Sequence, residues 1–399
     1  MENACYITGA EVLTRGRLAR LDITVEDGRV VRLSSAHDNP GALPVIDAAG
    51  LRVLPGFIDV HTHGAAGVDV NAADVEGLRA IGRFFASQGT TGWLCSILTD
   101  TPEQTLWCIE QARQVIEGGP YDGAALLGIH LEGPCLSSEY KGAMPEHLLM
   151  HEASVDLFRR YQEAAGGHIL YTTLAPEVPG VPELIPQLAE LGITSAIGHS
   201  GAGYDLSWQC VRAGAKAATH VGNAMRLFHQ HEPAIFGVAL ESDIYAETIC
   251  DGRHLVPGTV RLYVKAKGWD KILGITDSIM AAGLPDGNYK LGVNDVVVED
   301  GDAKLASTGV RAGSTLTQAT ALRNFMKFTG ARSSLPRSRS PRTPRACSAG
   351  TTAAASPWGR GRTSSSSTGR TRSRARSWGV AASTSADRHR IGRFGPTAP

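Results

Sequence analysis

The sequence predicts a (β/α)₈ barrel with a small β-domain attached. Along the middle of the chain, eight apolar strand-like runs alternate with helical patterns, and polar residues stand where several of the runs end. The runs end near Asp59, Leu98, Glu132, Ala175, His199, His220, Cys250 and Asp277. Strands that alternate with helices build a parallel sheet, and eight such units close into a barrel with its chemistry at the carboxyl ends of the strands.

The individual elements follow from hydrophobic periodicity. Short apolar strands within residues 4–14, 21–25 and 30–33, separated by Gly and Asp turns, predict a small β-domain over residues 1–52. The barrel is expected over residues 53–330, with helices on DVEGLRAIGRFFASQ, PEQTLWCIEQARQVI and VPELIPQLAELG. The eighth helix is expected on STLTQATALRNFMKF, with Ser314 as its N-cap.

Composition excludes several protein classes. No apolar run reaches the roughly 18 residues of a membrane span, and the N-terminus MENACYITGAEV lacks the pattern of a secretory signal. The seven cysteines are scattered without a C-x-x-C motif, which argues against a disulfide framework and against a thiolate zinc site. We therefore expect a cytoplasmic enzyme without a membrane partner.

The last part of the chain, residues 331–399, differs in composition from the rest. Its one acidic residue is Asp387, and it is rich in Arg, Ser, Thr, Pro and Gly, so we expect a disordered tail. Back-translation of residues 350–369, read one nucleotide earlier, can yield HDGGSIAVGQGADLVVLDG, which has a turn and an alternating apolar strand. We interpret the tail as the product of a single-nucleotide frameshift near Gly330, testable by resequencing, and expect no specific nucleic-acid partner.

Six polar residues are predicted to meet at the carboxyl end of the barrel. His61 and His63 close the run LRVLPGFIDVHTHG, and alternate strand residues point to one face, so their imidazoles are expected to lie side by side. The other four residues end later runs: Glu132, His199, His220 and Asp277. Imidazoles with a carboxylate suit Zn²⁺ or Fe²⁺, which would lower the pKa of a water, and Asp277 would serve as general base and then general acid.

The motifs PGFIDVHTHGAAGVDV, IHLEGPCLSSEYKGA, AIGHSGAGYD, ATHVGNAM, DGRHLVPGTV, GITDSIMAAGLPDGNYKLG and RAGSTLTQATALRN extend this reading. In order and spacing they resemble the N-acetylglucosamine-6-phosphate deacetylases of the amidohydrolase superfamily. The resemblance implies removal of acetate from N-acetylglucosamine 6-phosphate by a metal-dependent homodimer. It implies that Glu132, His199 and His220 hold the principal metal, that His61 and His63 help hold a second one, and that Asp277 is the catalytic acid/base.

The resemblance also implies a set of substrate contacts. These are Ala143, Asn223, Ala224, His231, Asp251, His254, Ala312 and Gly313. At two positions the chain departs from the family: His231 stands where members often carry an Arg that meets the phosphate, and Met144 stands where some carry a His. Arg226, His229 and Arg253 are candidates for compensation, and the phosphate preference is left open.

The tail leaves further alternatives open. In the family, strands from the end of the chain complete the small β-domain, and here those strands are expected to be missing, which predicts reduced stability and poor solubility. The alternative functions are another amidohydrolase, such as a dihydroorotase or a dipeptidase, and a non-functional relic that binds oligonucleotides through its arginines. Acetate release, metal content and salt-dependent binding would discriminate these cases.

Overall fold

The computed structural model describes residues 4–39 and 41–331 together with the backbone of the strand Val380–Thr384. The described residues divide into two compact units, one formed by the residues up to Pro55 with the strand Val380–Thr384 and the other by Gly56–Ala331. Within the described residues, no helix is both long and apolar enough to cross a membrane.

The N-terminal unit contains seven strands from the beginning of the chain. They are β1 (Cys5–Thr8), β2 (Glu11–Thr14), β3 (Arg17–Arg20), β4 (Asp22–Glu26), β5 (Arg29–Ser34), β6 (Val45–Asp47) and β7 (Leu51–Pro55). One sheet has the order β5-β4-β1-β6, and β7-β2-β3 run side by side in a second. The side chains of Ile7, Val12, Ile23 and Val53 pack together in a common core.

The prediction of one strand within residues 4–14 is wrong, because Gly9 divides it into β1 and β2. Gly9 has φ +81°, and a Cβ atom there would lie 3.1 Å from the backbone of Ala49. A residue with a side chain would be strained in this conformation, so the strand is interrupted at the glycine.

The second unit is the predicted barrel. Its eight parallel strands follow chain order around the sheet: β8 (Phe57–Asp59), β11 (Thr90–Leu98), β12 (Ala125–Glu132), β13 (Ile169–Leu174), β14 (Thr194–Ile197), β15 (Ala217–Ala218), β16 (Tyr245–Ile249) and β17 (Ile272–Ile275). A two-stranded ribbon, β9 (Gly64–Ala65) and β10 (Val68–Asp69), follows β8. Each observed barrel strand ends within two residues of the predicted position, so the barrel prediction is confirmed.

Hydrogen bonds at the carboxyl end close the barrel between its first and last strands. The amide of Asp277 donates to the carbonyl of His61 at 2.9 Å, and Thr62 forms an isolated parallel bridge with Ser278. Below them, the Thr276 hydroxyl donates to the buried carboxylate of Asp59 at 2.6 Å. The closure therefore runs through the residues that follow β8 and β17.

In the described part of the chain, eight α-helices follow the barrel strands. They are α1 (Val75–Ser87), α2 (Pro102–Glu117), α3 (Val155–Ala164), α4 (Val181–Glu190), α5 (Tyr204–Ala213), α6 (Ala234–Glu241), α7 (Pro257–Lys267) and α8 (Gln318–Thr329). Single 3₁₀ turns lie at Val70–Ala72, Glu146–Leu148 and Trp269–Lys271. Between β17 and α8 stands an antiparallel three-stranded sheet that the sequence analysis did not predict: β18 (Gly287–Leu291), β19 (Asn294–Glu299) and β20 (Asp302–Leu305).

Helix α8 begins later than predicted, and Ser314 is not its N-cap. Thr317 is the cap, with its hydroxyl accepting a hydrogen bond from the Thr320 amide. Ser314 instead donates its hydroxyl to the carbonyl of Thr276 at 2.6 Å and its amide to the carbonyl of Asp277 at 2.7 Å. Ser314 is therefore buried at the closure of the barrel, and its hydroxyl does not cap α8.

The structure describes one short segment of the C-terminal tail beyond Ala331. β21 (Val380–Thr384) pairs antiparallel with β7, with Val380 opposite Pro55 and Thr384 opposite Leu51. The expectation of a disordered tail stays a prediction, and these five residues depart from it by pairing with β7. They lie in a stretch without arginine, and the edge of β7 offers backbone groups that need partners. The stretch used for the frameshift hypothesis, residues 350–369, lies outside the described residues.

Candidate metal centre

The structure brings the six predicted residues together at the carboxyl end of the barrel. Glu132 is the last residue of β12, and the other five follow the ends of their strands by two to four residues. All six are buried: His61, His63, Glu132, His199, His220 and Asp277. β8 ends at Asp59, so the His61–His63 pair lies just beyond the strand rather than on it, yet their Nε2 atoms are 3.2 Å apart.

Glu132, His199 and His220 form one group of potential ligands. Glu132 Oε1 lies 3.1 Å from His199 Nε2 and 3.2 Å from His220 Nε2, and the two nitrogens are 3.1 Å apart. Ligand atoms on one tetrahedral Zn²⁺, with bonds of 2.0–2.1 Å, are about 3.3 Å apart. The three atoms therefore have the separation expected for one face of a metal site.

His61 and His63 form a second group with the same glutamate. His61 Nε2 lies 3.2 Å from Glu132 Oε1, and His63 Nε2 lies 3.2 Å from Glu132 Oε2. Both groups have ligand atoms close enough to hold one ion. Because Glu132 belongs to both, its carboxylate stands between two potential metal positions. The residues fit a divalent metal.

Asp277 faces the His61–His63 side of the site. Its Oδ1 lies 3.2 Å from His63 Nε2 and 3.5 Å from His61 Nε2. Burial raises the pKa of the Asp277 carboxyl, but the hydrogen bond from His63 and the charges of His61, His63 and His220 outweigh it, so the pKa lies below its usual value. Asp277 is therefore held as a carboxylate, the form that accepts a proton.

Several residues of the site have left-handed backbone conformations. His199, His220, Ala224 and Asp277 have φ values of +48°, +25°, +45° and +50°. A residue with a side chain in this region costs about 1 kcal/mol or more. Such strain is maintained where the surrounding structure fixes the backbone, and here it aims the side chains of the strand ends into the site.

The sequence analysis missed the residues that orient these ligands. His61 Nδ1 donates to Glu247 at 3.0 Å, His63 Nδ1 to the carbonyl of Ser96 at 3.0 Å, and His199 Nδ1 to the carbonyl of Tyr140 at 2.9 Å. In the neutral ring that binds a metal, each bond keeps the proton on Nδ1 and leaves the lone pair of Nε2 toward the site. Glu247 could have been found in the sequence, because it is the one charged residue of the strand YAETI.

The buried residue His130 was also missed, although it lies two residues before Glu132 on the same strand. Its ring contacts His61 edge-on with centroids 4.6 Å apart, and it lies 4.7 Å from the ring of Tyr171. Burial and the neighbouring imidazoles hold its pKa well below the usual value, so the ring is neutral. Strand alternation predicts that residues 130 and 132 share a face.

A cleft of about 320 Å³ opens onto the candidate metal centre. Six of the predicted substrate contacts line it: Ala143, Asn223, Ala224, His254, Ala312 and Gly313. Its walls also include apolar side chains, among them Leu98, Met144 and Leu291. Gly313 is required here, because at φ +60° its Cβ would lie 2.3 Å from the side chain of Ile279.

Two predicted contacts, His231 and Asp251, are not among the residues that line the cleft, and their assignment as substrate contacts stays a prediction. His231 is exposed in the loop after β15, next to His229. Asp251 lies behind His254: its carboxylate accepts a hydrogen bond from His254 Nδ1 at 2.6 Å and orients that ring. The position of a residue in a motif does not show whether its side chain lines the cleft or hydrogen-bonds a residue that does.

The cations proposed to compensate at the phosphate do not line the cleft either. Among the described residues, Arg226 and His229 are exposed outside it, and Arg253 donates to the carbonyl of Asp300. Arg311 does line the cleft, but its guanidinium makes two hydrogen bonds to Asp302, at 2.7 and 3.1 Å.

Comparison with known proteins places the chain in a family. No protein-family model matches it. It is 35% identical over 319 residues to the N-acetylglucosamine-6-phosphate deacetylase of Lysinibacillus sphaericus, covering 79% of this chain and 80% of the relative. It is likewise 35% identical over 333 residues to the Bacillus subtilis enzyme of that name, covering 82% of each. The chain belongs to the N-acetylglucosamine-6-phosphate deacetylase family.

Solved structures of the family share the fold. A variant of the N-acetyl-D-glucosamine-6-phosphate deacetylase of Mycobacterium smegmatis, in complex with N-acetyl-D-glucosamine 6-phosphate, aligns with a TM-score of 0.77 at 32% identity, over 83% of this chain and 85% of the other. The deacetylase of Pasteurella multocida aligns with a TM-score of 0.78 at 30% identity, over 83% and 86%. The family resemblance drawn from the sequence motifs is thereby confirmed.

Proposed function

We propose that this chain hydrolyses the acetamide of N-acetylglucosamine 6-phosphate to give glucosamine 6-phosphate and acetate. The observation that carries the proposal is the position of the Asp277 carboxylate, 3.2 Å from His63, beside a glutamate shared by two groups of metal-ligating side chains. The relatives are named N-acetylglucosamine-6-phosphate deacetylases, and a variant of one of them is in complex with that sugar phosphate, which supports the same substrate. Dihydroorotase or dipeptidase activity is not favoured by the comparisons.

The metal would be held by the chain's own imidazoles and one carboxylate. Glu132, His199 and His220 would hold the principal Zn²⁺ or Fe²⁺, and His61 with His63 would hold a second one or adjust the first. When bound, a divalent ion polarises the amide carbonyl and lowers the pKa of a water. The proposal is thus one or two ions of Zn²⁺ or Fe²⁺ per chain.

Asp277 would carry the protons of the reaction. As a carboxylate facing the ligands, it accepts a proton from the attacking water, and as the resulting acid it returns that proton to the leaving amine. Its lowered pKa keeps it ready to accept at neutral pH.

The cleft would hold the sugar. Asn223 and His254 present polar groups from the loops after β15 and β16, and the ring of His254 is fixed by Asp251. Glu139 lines the same cleft. Met144 is buried in the apolar wall, so it provides no polar contact where a histidine would. Homodimerisation and cytoplasmic location stay predictions.

The experiment is acetate release from N-acetylglucosamine 6-phosphate by the purified, zinc- or iron-loaded protein. We expect Asp277→Asn to lower kcat by about 10²–10⁴, the range attributed to general acid–base catalysis. The matched control is Asp156→Asn, an exposed aspartate on α3 paired only with Arg159, which should leave kcat unchanged. Normal deacetylation by Asp277→Asn would refute the acid/base assignment, and turnover of cyclic amides but not the acetylated sugar would refute the substrate.

A further inference from the structure

Glu247 is a buried carboxylate for which the proposed reaction has no direct use. It lies within β16 and has no exposed surface. A buried charge is costly unless it is fully hydrogen-bonded, so a glutamate in the barrel interior needs a structural or functional reason. Its partners supply that reason.

The two carboxylate oxygens of Glu247 have different partners. Oε1 accepts the hydroxyl proton of Tyr171 at 2.5 Å. Oε2 accepts both the Nδ1 proton of His61 at 3.0 Å and the backbone amide of His220 at 3.1 Å. One oxygen atom therefore contacts a residue from each of the two ligand groups.

We propose that Glu247 is the positioning residue of the metal centre: it fixes His61 with Nε2 directed at Glu132 and anchors the backbone that presents His220. This inference rests on the proposed metal site but not on the identity of the substrate. A proton held on Nδ1 by Glu247 leaves the lone pair on Nε2, the atom 3.2 Å from Glu132 Oε1.

The surroundings of the two histidines show why one depends on Glu247 more than the other. Within the part of the chain that the structure describes, Glu247 is the hydrogen-bond partner of His61 Nδ1, and the ring is confined on one side by His130. His220 Nδ1 is buried without a hydrogen-bond partner among the described residues, so its position depends on its backbone, at φ +25°. That backbone is also held by the Asn223 amide, which donates to the His220 carbonyl at 2.9 Å. Loss of Glu247 should thus affect His61 first.

The test is metal binding by the full chain, measured without substrate. The metal-free protein is titrated with Co²⁺ and Zn²⁺, the bound ions are counted by mass spectrometry, and the Co²⁺ absorption spectrum reports the ligand geometry. His61→Ala identifies the ion that depends on this side of the site. We expect Glu247→Ala to lower the affinity for that same ion about 100-fold, because residues that hydrogen-bond metal ligands contribute about 10–100-fold to metal affinity. Glu247→Gln keeps one acceptor oxygen and should lower the affinity about 10-fold.

The control for general destabilisation is Gln162→Leu. Gln162 is also a buried polar residue, and it bonds only the backbone of Ile169 and Leu191, away from the metal centre. It should lower the melting temperature without changing metal affinity or the Co²⁺ spectrum. The proposal is overturned if Glu247→Gln binds the His61-dependent ion with wild-type affinity, if Gln162→Leu loses that ion equally, or if His61→Ala leaves metal binding unchanged. Failure of the deacetylase proposal would appear separately, as normal metal binding without acetate release.

Discussion

Glu132 is the residue on which both ligand groups depend. Its Oε1 lies within 3.2 Å of three histidine nitrogens and its Oε2 within 3.2 Å of a fourth. A single carboxylate of this kind can hold two ions close together or hold one ion with two alternative sets of imidazoles. The two histidine pairs are therefore not equivalent in what they add.

The difference between the pairs can be measured by substitution. We expect His199→Ala to abolish deacetylation together with the principal ion, whereas His61→Ala should retain the principal ion and a reduced kcat. The reason is that His199, with Glu132 and His220, completes one group, while His61 belongs only to the other. Metal analysis and kcat/KM of both variants check this, with exposed His147→Ala as a control; equal loss of the principal ion in both would contradict it.

At the residue scale, strand-end position predicted which side chains meet at the candidate site but not the residues that hydrogen-bond them. His61, His63, Glu132, His199, His220 and Asp277 were found because polar residues rarely end apolar strands repeatedly, and barrels place those ends together. Glu247 was overlooked because it lies inside a strand. His231 was assigned through a motif, but whether a loop residue turns into a cleft depends on tertiary packing that the motif does not encode.

At the element scale, the start of α8 offers a direct test of the corrected N-cap. Thr317→Ala removes the side-chain oxygen that accepts the Thr320 amide. We expect a loss of about 1 kcal/mol in the free energy of unfolding, typical of an N-cap. Denaturant unfolding measures it, and Thr308→Ala, an exposed threonine in the preceding loop, is the comparison. An unchanged free energy for Thr317→Ala would mean that the helix is not capped there.

The N-terminal unit contains an element whose stability should depend on pH. Burial raises the pKa of Asp22, but hydrogen bonds from Tyr6, Thr8, the Gly9 amide and His37 outweigh it and lower the pKa. A lowered folded-state pKa gives stability that is present above the unfolded value, about 3.9, and lost as pH falls through the folded one.

We therefore expect the melting temperature of the wild-type protein to decrease as the pH is lowered below about 4. The Asp22→Asn variant should melt lower at pH 7 and show a shallower decline in acid, since it has no carboxylate to protonate. Calorimetry between pH 7 and 3 compares the two, with exposed Asp38→Asn as the control. Parallel curves for wild type and Asp22→Asn would show that Asp22 does not contribute this dependence.

The three-stranded sheet β18–β20 shows how an element escaped prediction. Asp300 and Gly301 form a two-residue connection between β19 and β20, both with positive φ, and the flanking residues Glu299 and Asp302 pair across it. An Asp-Gly pair between alternating apolar residues is a strong hairpin pattern. The sequence analysis extended the barrel rhythm directly to its last helix and left this segment without strands.

At the scale of the whole molecule, the barrel was predictable because its parallel strands are buried on both faces and read as continuous apolar runs. The tail was harder, since composition reports the average of a segment and β21 is only five residues long. Pairing with β7 depends on an available sheet edge, which is a property of the folded protein.

The frameshift hypothesis predicts the behaviour of the complete chain. Restoring the reading frame after Gly330 should raise the melting temperature by about 2 °C or more for each kcal/mol gained, and improve solubility, because a family-type C-terminus would pair with the N-terminal strands more extensively than the five residues of β21 do. Thermal unfolding of both proteins measures this. An intact gene that encodes the Arg-rich tail in frame, or equal melting of the two proteins, would count against it.

The closure of the barrel runs through the candidate metal centre. The Asp277 amide is bonded to the His61 carbonyl, and the Asp277 carbonyl accepts the Ser314 amide. A ligand that draws His61, His63 and Asp277 together therefore also holds the first and last strands together, so binding and local opening are thermodynamically linked. Amide hydrogen exchange at Asp277 and Ser314 would slow as the site fills, so these two backbone protons report occupancy without any substrate.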